Sequence, residues 1–180
     1  FSDITSGQLD MYGQILTDDD GTLGDLKVTS SYKLMKALGI YKEEVETGEV
    51  YKTGLRKGQP KTRKELRFDG VRHVFDWAVQ LNCYRMLLES QGYEVKSMVI
   101  QALCRDSGLR IAAERGITQP VYLIPINRIS DRWLNRYLEA KTKRLQQAME
   151  TGIVPELCSA RESWNGRKCD GYCAVSEQCK

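Results

Sequence analysis

Three residues near the start of the chain have the types and spacing for phosphate chemistry. They are Asp10 in Gly7-Gln8-Leu9-Asp10-Met11, and Asp25 and Lys27 in Gly24-Asp25-Leu26-Lys27-Val28. Both stretches are short and largely apolar, with a turn between them. In a strand, residues two apart face the same side, so Asp25 and Lys27 share one environment. If the first run pairs beside the second, Asp10 converges on the same spot. Two carboxylates beside one ammonium can hold a divalent metal, activate a water and manage charge on a phosphate. Taken singly, each residue reads as a solvated strand-end charge. Together, buried charges must serve each other or a shared ligand.

Further along, Gln80 and Tyr84 stand four apart and so lie on one helical face, where Gln80 interrupts an apolar surface. The single histidine, His73, reads as a polar residue at the helix start, and one histidine supports no Ser-His-Asp or Cys-His arrangement. Between positions 52 and 67 the chain carries Lys52, Arg56, Lys57, Lys61, Arg63, Lys64 and Arg67 against Glu65 alone. Such a run is either a solvated loop or a contact for a phosphate backbone. The net charge of +3 demands no polyanionic partner by itself. Four of the six cysteines, Cys158, Cys169, Cys173 and Cys179, crowd the C-terminus, which is unlike an evenly spread disulfide scaffold. Four thiolates so close can wrap one zinc or one iron–sulfur cluster, with disulfides or free thiols as the alternative. Cys83 and Cys104 lie in apolar stretches and read as buried thiols. A reducing cytoplasmic setting goes with this reading.

The elements that must position these groups follow from periodicity. Strands are expected at 3–12 and 22–30, joined through Thr17-Asp18-Asp19-Asp20-Gly21, whose spacing fits a hairpin loop and not an EF-hand. A short helix at 31–38 stops at Gly39. Residues 40–70 read as an excursion, partly irregular and partly β. A helix at 71–90 carries Val74, Trp77, Ala78, Leu81, Tyr84, Leu87 and Leu88 at helical intervals. Strands at 94–104 and 120–126 follow. A helix at 130–150 turns Trp133, Leu134, Tyr137, Leu138, Leu145 and Met149 inward. The 180 residues suit one core at 1–150 and a cysteine-rich tail at 151–180. No stretch is apolar enough to span a bilayer, and no signal peptide is visible.

With Gly7-Gln8-Leu9-Asp10, Gly24-Asp25-Leu26-Lys27 and Gln80-Leu81-Asn82-Cys83-Tyr84 together, the chain resembles the PD-(D/E)XK nucleases, in the branch of RecB-like and CRISPR-associated RecB-like exonucleases, including phage members. The resemblance covers about residues 3–150. It implies an α/β fold of restriction-endonuclease type: a mixed central sheet flanked by helices, with a C-terminal cysteine-rich metal-binding tail. It implies that Asp10, Asp25 and the backbone carbonyl of Leu26 bind Mg²⁺ or Mn²⁺. Lys27 would activate water and stabilise charge at the scissile phosphate, while Gln80 and Tyr84 support the site and contact substrate. It further implies that Cys158, Cys169, Cys173 and Cys179 hold a [4Fe-4S] cluster, with structural Zn²⁺ as the alternative. Members often carry an upstream segment whose histidine completes the metal site, and the core here is expected to lack it. The basic 52–67 run becomes a DNA-holding arm.

The expected function is a divalent-metal-dependent DNA exonuclease in recombination, repair or phage DNA processing, with room for a helicase or recombination partner. The alternatives are a structure-selective endonuclease and a non-catalytic nucleic-acid-binding protein with a metal-stabilised tail. A structural module of a larger complex is a third.

Overall fold

A computed structural model describes residues 10–13, 21–153, 156–160, 162–163 and 165–177. The chain divides into two units, Phe1–Ser130 and Asp131–Lys180. The first is built on a four-stranded sheet, and its spatial order is β1 (Met11–Gly13), β2 (Thr22–Thr29), β5 (Ser97–Cys104), β6 (Val121–Pro125). β1 runs antiparallel to β2, β2 parallel to β5, and β6 antiparallel to β5. The sheet is therefore mixed, and the expected α/β architecture with flanking helices is present. The expected strand at 3–9 and the acidic turn at 17–20 lie outside the described residues.

Register explains which side chains meet the core. Leu23 pairs with Met98, Asp25 with Ile100 and Lys27 with Ala102, and Ile100 pairs in turn with Ile124. Paired residues point to the same face, so these form the inner layer of the sheet. Leu23, Ile100, Ala102 and Ile124 are fully buried there with Leu34 and Leu81 from the helices, and Trp77 is buried beside them. Full burial of each large side chain stabilises by about 1.5–3 kcal/mol before entropy is counted. On the opposite face Leu26, Val28, Leu103, Val121 and Leu123 are exposed.

The connection from β2 to β5 contains helix α1 (Ser31–Ala37), the hairpin β3 (Ile40–Val50) and β4 (Pro60–Phe68), and helix α2 (Phe75–Ser90). The excursion foreseen at 40–70 is thus an antiparallel two-stranded sheet of its own. Helix α2 starts at Phe75, later than periodicity suggests. The preceding backbone is tied elsewhere: Val71 N donates to Asp69 Oδ1 at 2.8 Å, and His73 N donates to the Lys36 carbonyl at 3.3 Å. A single-turn helix α3 (Arg110–Ala113) between β5 and β6 escapes sequence reading.

The second unit contains α4 (Asp131–Thr151) and α5 (Arg167–Gly171). Of the stripe expected inward on α4, Leu134 is buried, whereas Trp133, Leu145 and Met149 are exposed. Trp133 and Tyr137 stack on each other, with ring centroids 5.2 Å apart.

The cysteine tail requires a correction. Among the described residues, no group of three or more His, Cys, Asp or Glu side chains gathers to hold a metal. Cys158 is exposed, Cys169 and Cys173 are half-buried, and all three are free thiols. Cys179 lies outside the described residues. The tail is organised by hydrogen bonds. Glu162 Oε2 accepts from Ser159 N at 3.0 Å, while Ser159 Oγ accepts from Glu162 N at 3.3 Å, a reciprocal capping box. Lys141 Nζ adds a contact to Glu162 Oε1 at 3.1 Å. The Ser159 backbone N–H and hydroxyl, then Lys141, hold the Glu162 carboxyl down at about 2. The expected [4Fe-4S] or Zn²⁺ tail is therefore withdrawn.

Candidate functional site

Asp25 lies on the inner face of β2 and is almost wholly buried, at 3% exposure. Lys27, one pleat further on, brings Nζ to 2.7 Å from Asp25 Oδ2. That oxygen has the ammonium beside it but no aligned hydrogen bond. Lys27 Nζ instead donates to Gln80 Oε1 at 3.0 Å, and Gln80 Nε2 donates to Tyr84 Oη at 3.0 Å. A single polar row, Asp25–Lys27–Gln80–Tyr84, thus runs from the sheet onto α2. Period two on the strand and i,i+4 spacing on the helix produce it.

Asp10 is placed differently. It precedes β1 at the edge of the sheet, is exposed, and its Oδ2 accepts from Leu26 N at 2.9 Å. The β1–β2 ladder starts at the Met11–Gly24 pair, so the Asp10 carboxylate satisfies the next free N–H of β2. Leu26 therefore acts here as a donor to Asp10.

These contacts decide the metal question for the described residues. One carboxylate is engaged by an amide and the other by an ammonium, and no third His, Cys, Asp or Glu joins them. The residues present do not make the Mg²⁺ or Mn²⁺ site implied for Asp10, Asp25 and Leu26. The expectation of a metal-dependent deoxyribonuclease, with its magnesium, manganese, zinc and iron–sulfur chemistry, is corrected accordingly.

The helix bearing Gln80 and Tyr84 is fixed by a network that sequence reading missed. Asn82 and Arg85 are fully buried on α2. Asn82 Nδ2 donates to the Ala78 and Asn127 carbonyls at 2.9 and 3.1 Å, and Asn82 Oδ1 accepts from Ile129 N at 2.9 Å. Arg85 donates to Asn82 Oδ1 at 3.2 Å and to Glu89 Oε2 at 2.6 Å, and Arg128 grips Glu89 through both carboxylate oxygens. The backbone after β6 is thereby tied to α2. The visible sign was two polar residues inside the apolar stripe at Leu81 and Leu88.

The remaining residues of interest fall apart from this row. His73 is exposed, 3.5 Å from Asp69 Oδ2, and lies before the start of α2 at Phe75 rather than in its first turn. Cys104 is buried as expected and Cys83 is half-buried. Burial pushes both thiols up, away from the thiolate form. Lys61, Arg63, Lys64 and Arg67 stand on β4, and Lys52, Arg56 and Lys57 in the connection before it. No helix among the described residues is long and apolar enough to cross a membrane. No protein-family model, curated protein or solved structure matches this chain.

Proposed function

We propose that this chain is a DNA-binding protein of the cell interior. Its Lys27 row faces the bound sugar–phosphate backbone, and the β3–β4 hairpin adds cations. The resemblance to the PD-(D/E)XK superfamily is the starting point of the reading. What carries it is the convergence of Asp25, Lys27, Gln80 and Tyr84 into one hydrogen-bonded row on two elements. An ammonium has three N–H groups. Gln80 takes one, Asp25 balances the charge, and the side chain stays 24% exposed. That leaves a fixed, oriented donor for a phosphate oxygen.

The test is fluorescence anisotropy with labelled DNA across a salt series. Removing Lys27 alone would strand a buried carboxylate, so the informative variant is Asp25→Leu/Lys27→Met, which leaves net charge unchanged. The expected result is salt-sensitive binding by the wild type and a loss of about tenfold in the double variant, the worth of one charge-assisted hydrogen bond. Lys27→Arg should keep most of the affinity. Absence of salt-sensitive DNA binding in the wild type overturns the reading. DNA breakage that the double variant lacks would replace binding with catalysis.

A second, structural reading draws on Asp10, whose carboxylate is already engaged by Leu26 N–H. It requires that the double variant change the melting temperature and leave DNA affinity untouched.

A further inference from the structure

The cations of the hairpin divide into two groups. Those on β4 are met by carboxylates. Lys61 Nζ lies 2.9 Å from Glu49, Lys64 Nζ lies 3.6 Å from Glu44, and Arg67 contacts Glu43 and Glu65 at 2.9 and 3.0 Å. Arg63 also pairs with Glu65. The acidic run of β3 supplies Glu43, Glu44 and Glu49, so the charge of β4 is largely balanced within the hairpin. Lys52, Arg56 and Lys57 stand in the connecting tip and are exposed. No described carboxylate forms an ion pair with them.

Between these tip cations stands Leu55, fully exposed. The loop that presents it is closed by its own backbone. Tyr51 N donates to the Gln59 carbonyl at 3.0 Å and Gly58 N to the Tyr51 carbonyl at 2.9 Å. Lys57 N donates to the Gly54 carbonyl at 3.1 Å and Gln59 N to the Arg56 carbonyl at 2.9 Å. Gly54 and Gly58 take φ of 81° and 84°, which lets the chain reverse this tightly. The tip is pre-shaped, so presenting Leu55 incurs little ordering entropy on binding.

We propose that the hairpin tip is a nucleic-acid wedge: Lys52, Arg56 and Lys57 hold backbone phosphates while Leu55 enters the base stack. An apolar side chain flanked by cations is how proteins part neighbouring bases. A lipid surface would need a broader apolar face than one leucine. The inference rests on the DNA-binding reading and names which part of the hairpin engages the DNA.

The test uses a duplex carrying 2-aminopurine, read by anisotropy for affinity and by fluorescence for unstacking. Arg56→Ala/Lys57→Ala and Lys61→Ala/Lys64→Ala remove equal charge from tip and strand. The tip pair should weaken binding at least tenfold and flatten the log affinity–log salt slope by about 2. The strand pair should change each by less than half as much. Leu55→Ser should keep the slope and lose the rise in 2-aminopurine fluorescence. Equal effects of the two charge pairs, or full fluorescence with Leu55→Ser, overturn the wedge and leave DNA binding standing. Preference of the wild type for phosphatidylserine vesicles over DNA overturns it too. A wild type that binds no DNA overturns both.

Discussion

Asp106 shows how one carboxylate can hold two distant parts of the fold. Its Oδ1 accepts from Ser31 N and its Oδ2 from Ser31 Oγ, each at 2.6 Å, and Arg115 Nη1 donates to the same hydroxyl at 2.9 Å. An N–H at the start of α1 is thus capped from a loop beyond β5. The Ser31 hydroxyl and then its backbone N–H hold the Asp106 carboxyl down at about 2, below the ordinary 3.8. A folded pKa below the unfolded one adds stability above the unfolded value. That stability is lost as pH falls through the folded value. The melting-temperature gap between wild type and Asp106→Asn should therefore be full at pH 5 and shrink between about pH 4 and pH 2. A gap constant over that range would remove the cap from the account. Asn82→Ala should cost about 2–4 kcal/mol in urea unfolding, because it strands the Asn127 carbonyl, Ile129 N–H and Arg85. At this scale Asp25, Lys27, Gln80 and Tyr84 were legible because strand and helix periods place them locally. The Ser31–Asp106 contact spans 75 positions, and no local pattern announces it. Metal ligation by Asp10 was misread for a related reason. A residue type gives its capacity to ligate but not the Leu26 N–H that engages it.

The hairpin illustrates what an element reveals and hides. Its existence within 40–70 was partly visible, but its strands were not, because both faces are solvated and the apolar alternation is weak. The legible sign, in retrospect, is charge complementarity: Glu43, Glu44, Glu46 and Glu49 precede Lys61, Arg63, Lys64 and Arg67. Exposed pairs of this kind contribute about 0–1 kcal/mol each, so they direct pairing more than they stabilise it. The root of the hairpin matters more. Gly39, at φ 73°, turns the chain from α1 into β3, and a Cβ there would lie 2.6 Å from the Val71 carbonyl oxygen and 2.7 Å from Asp69 Oδ1. Gly39→Ala should destabilise by about 1–3 kcal/mol, a loss measurable by thermal melting. Gly48→Ala, at φ 76° with open space around it, should cost less. Equal losses would show that backbone strain, and not the clash, sets the effect.

Across the whole molecule, the two units differ in how much they bury. The first contains the contiguous core, whereas among the residues of α4 only Leu134 is buried. Amide hydrogens of α4 should therefore exchange well before those of β2 and β5 in a mass-spectrometric time course. Equal protection would mean that α4 opens only with the core. The sequence reading placed both long helices from the spacing of their apolar residues and the central strands from their apolar runs. It erred on α4 and the tail because an apolar stripe and a cysteine count state what could be buried or ligated, and a capping box can organise the same segment. The parallel pairing of β2 with β5 has a consequence in time. Thr22 and Ser97 meet 75 positions apart, and the antiparallel hairpin lies between them. Loop closure must precede that pairing, while the hairpin can zip from local contacts. The central pairing of the sheet is thus reached across a segment whose own pairing is local. Shortening the hairpin symmetrically should speed refolding, because fewer residues then separate the two strands that must meet.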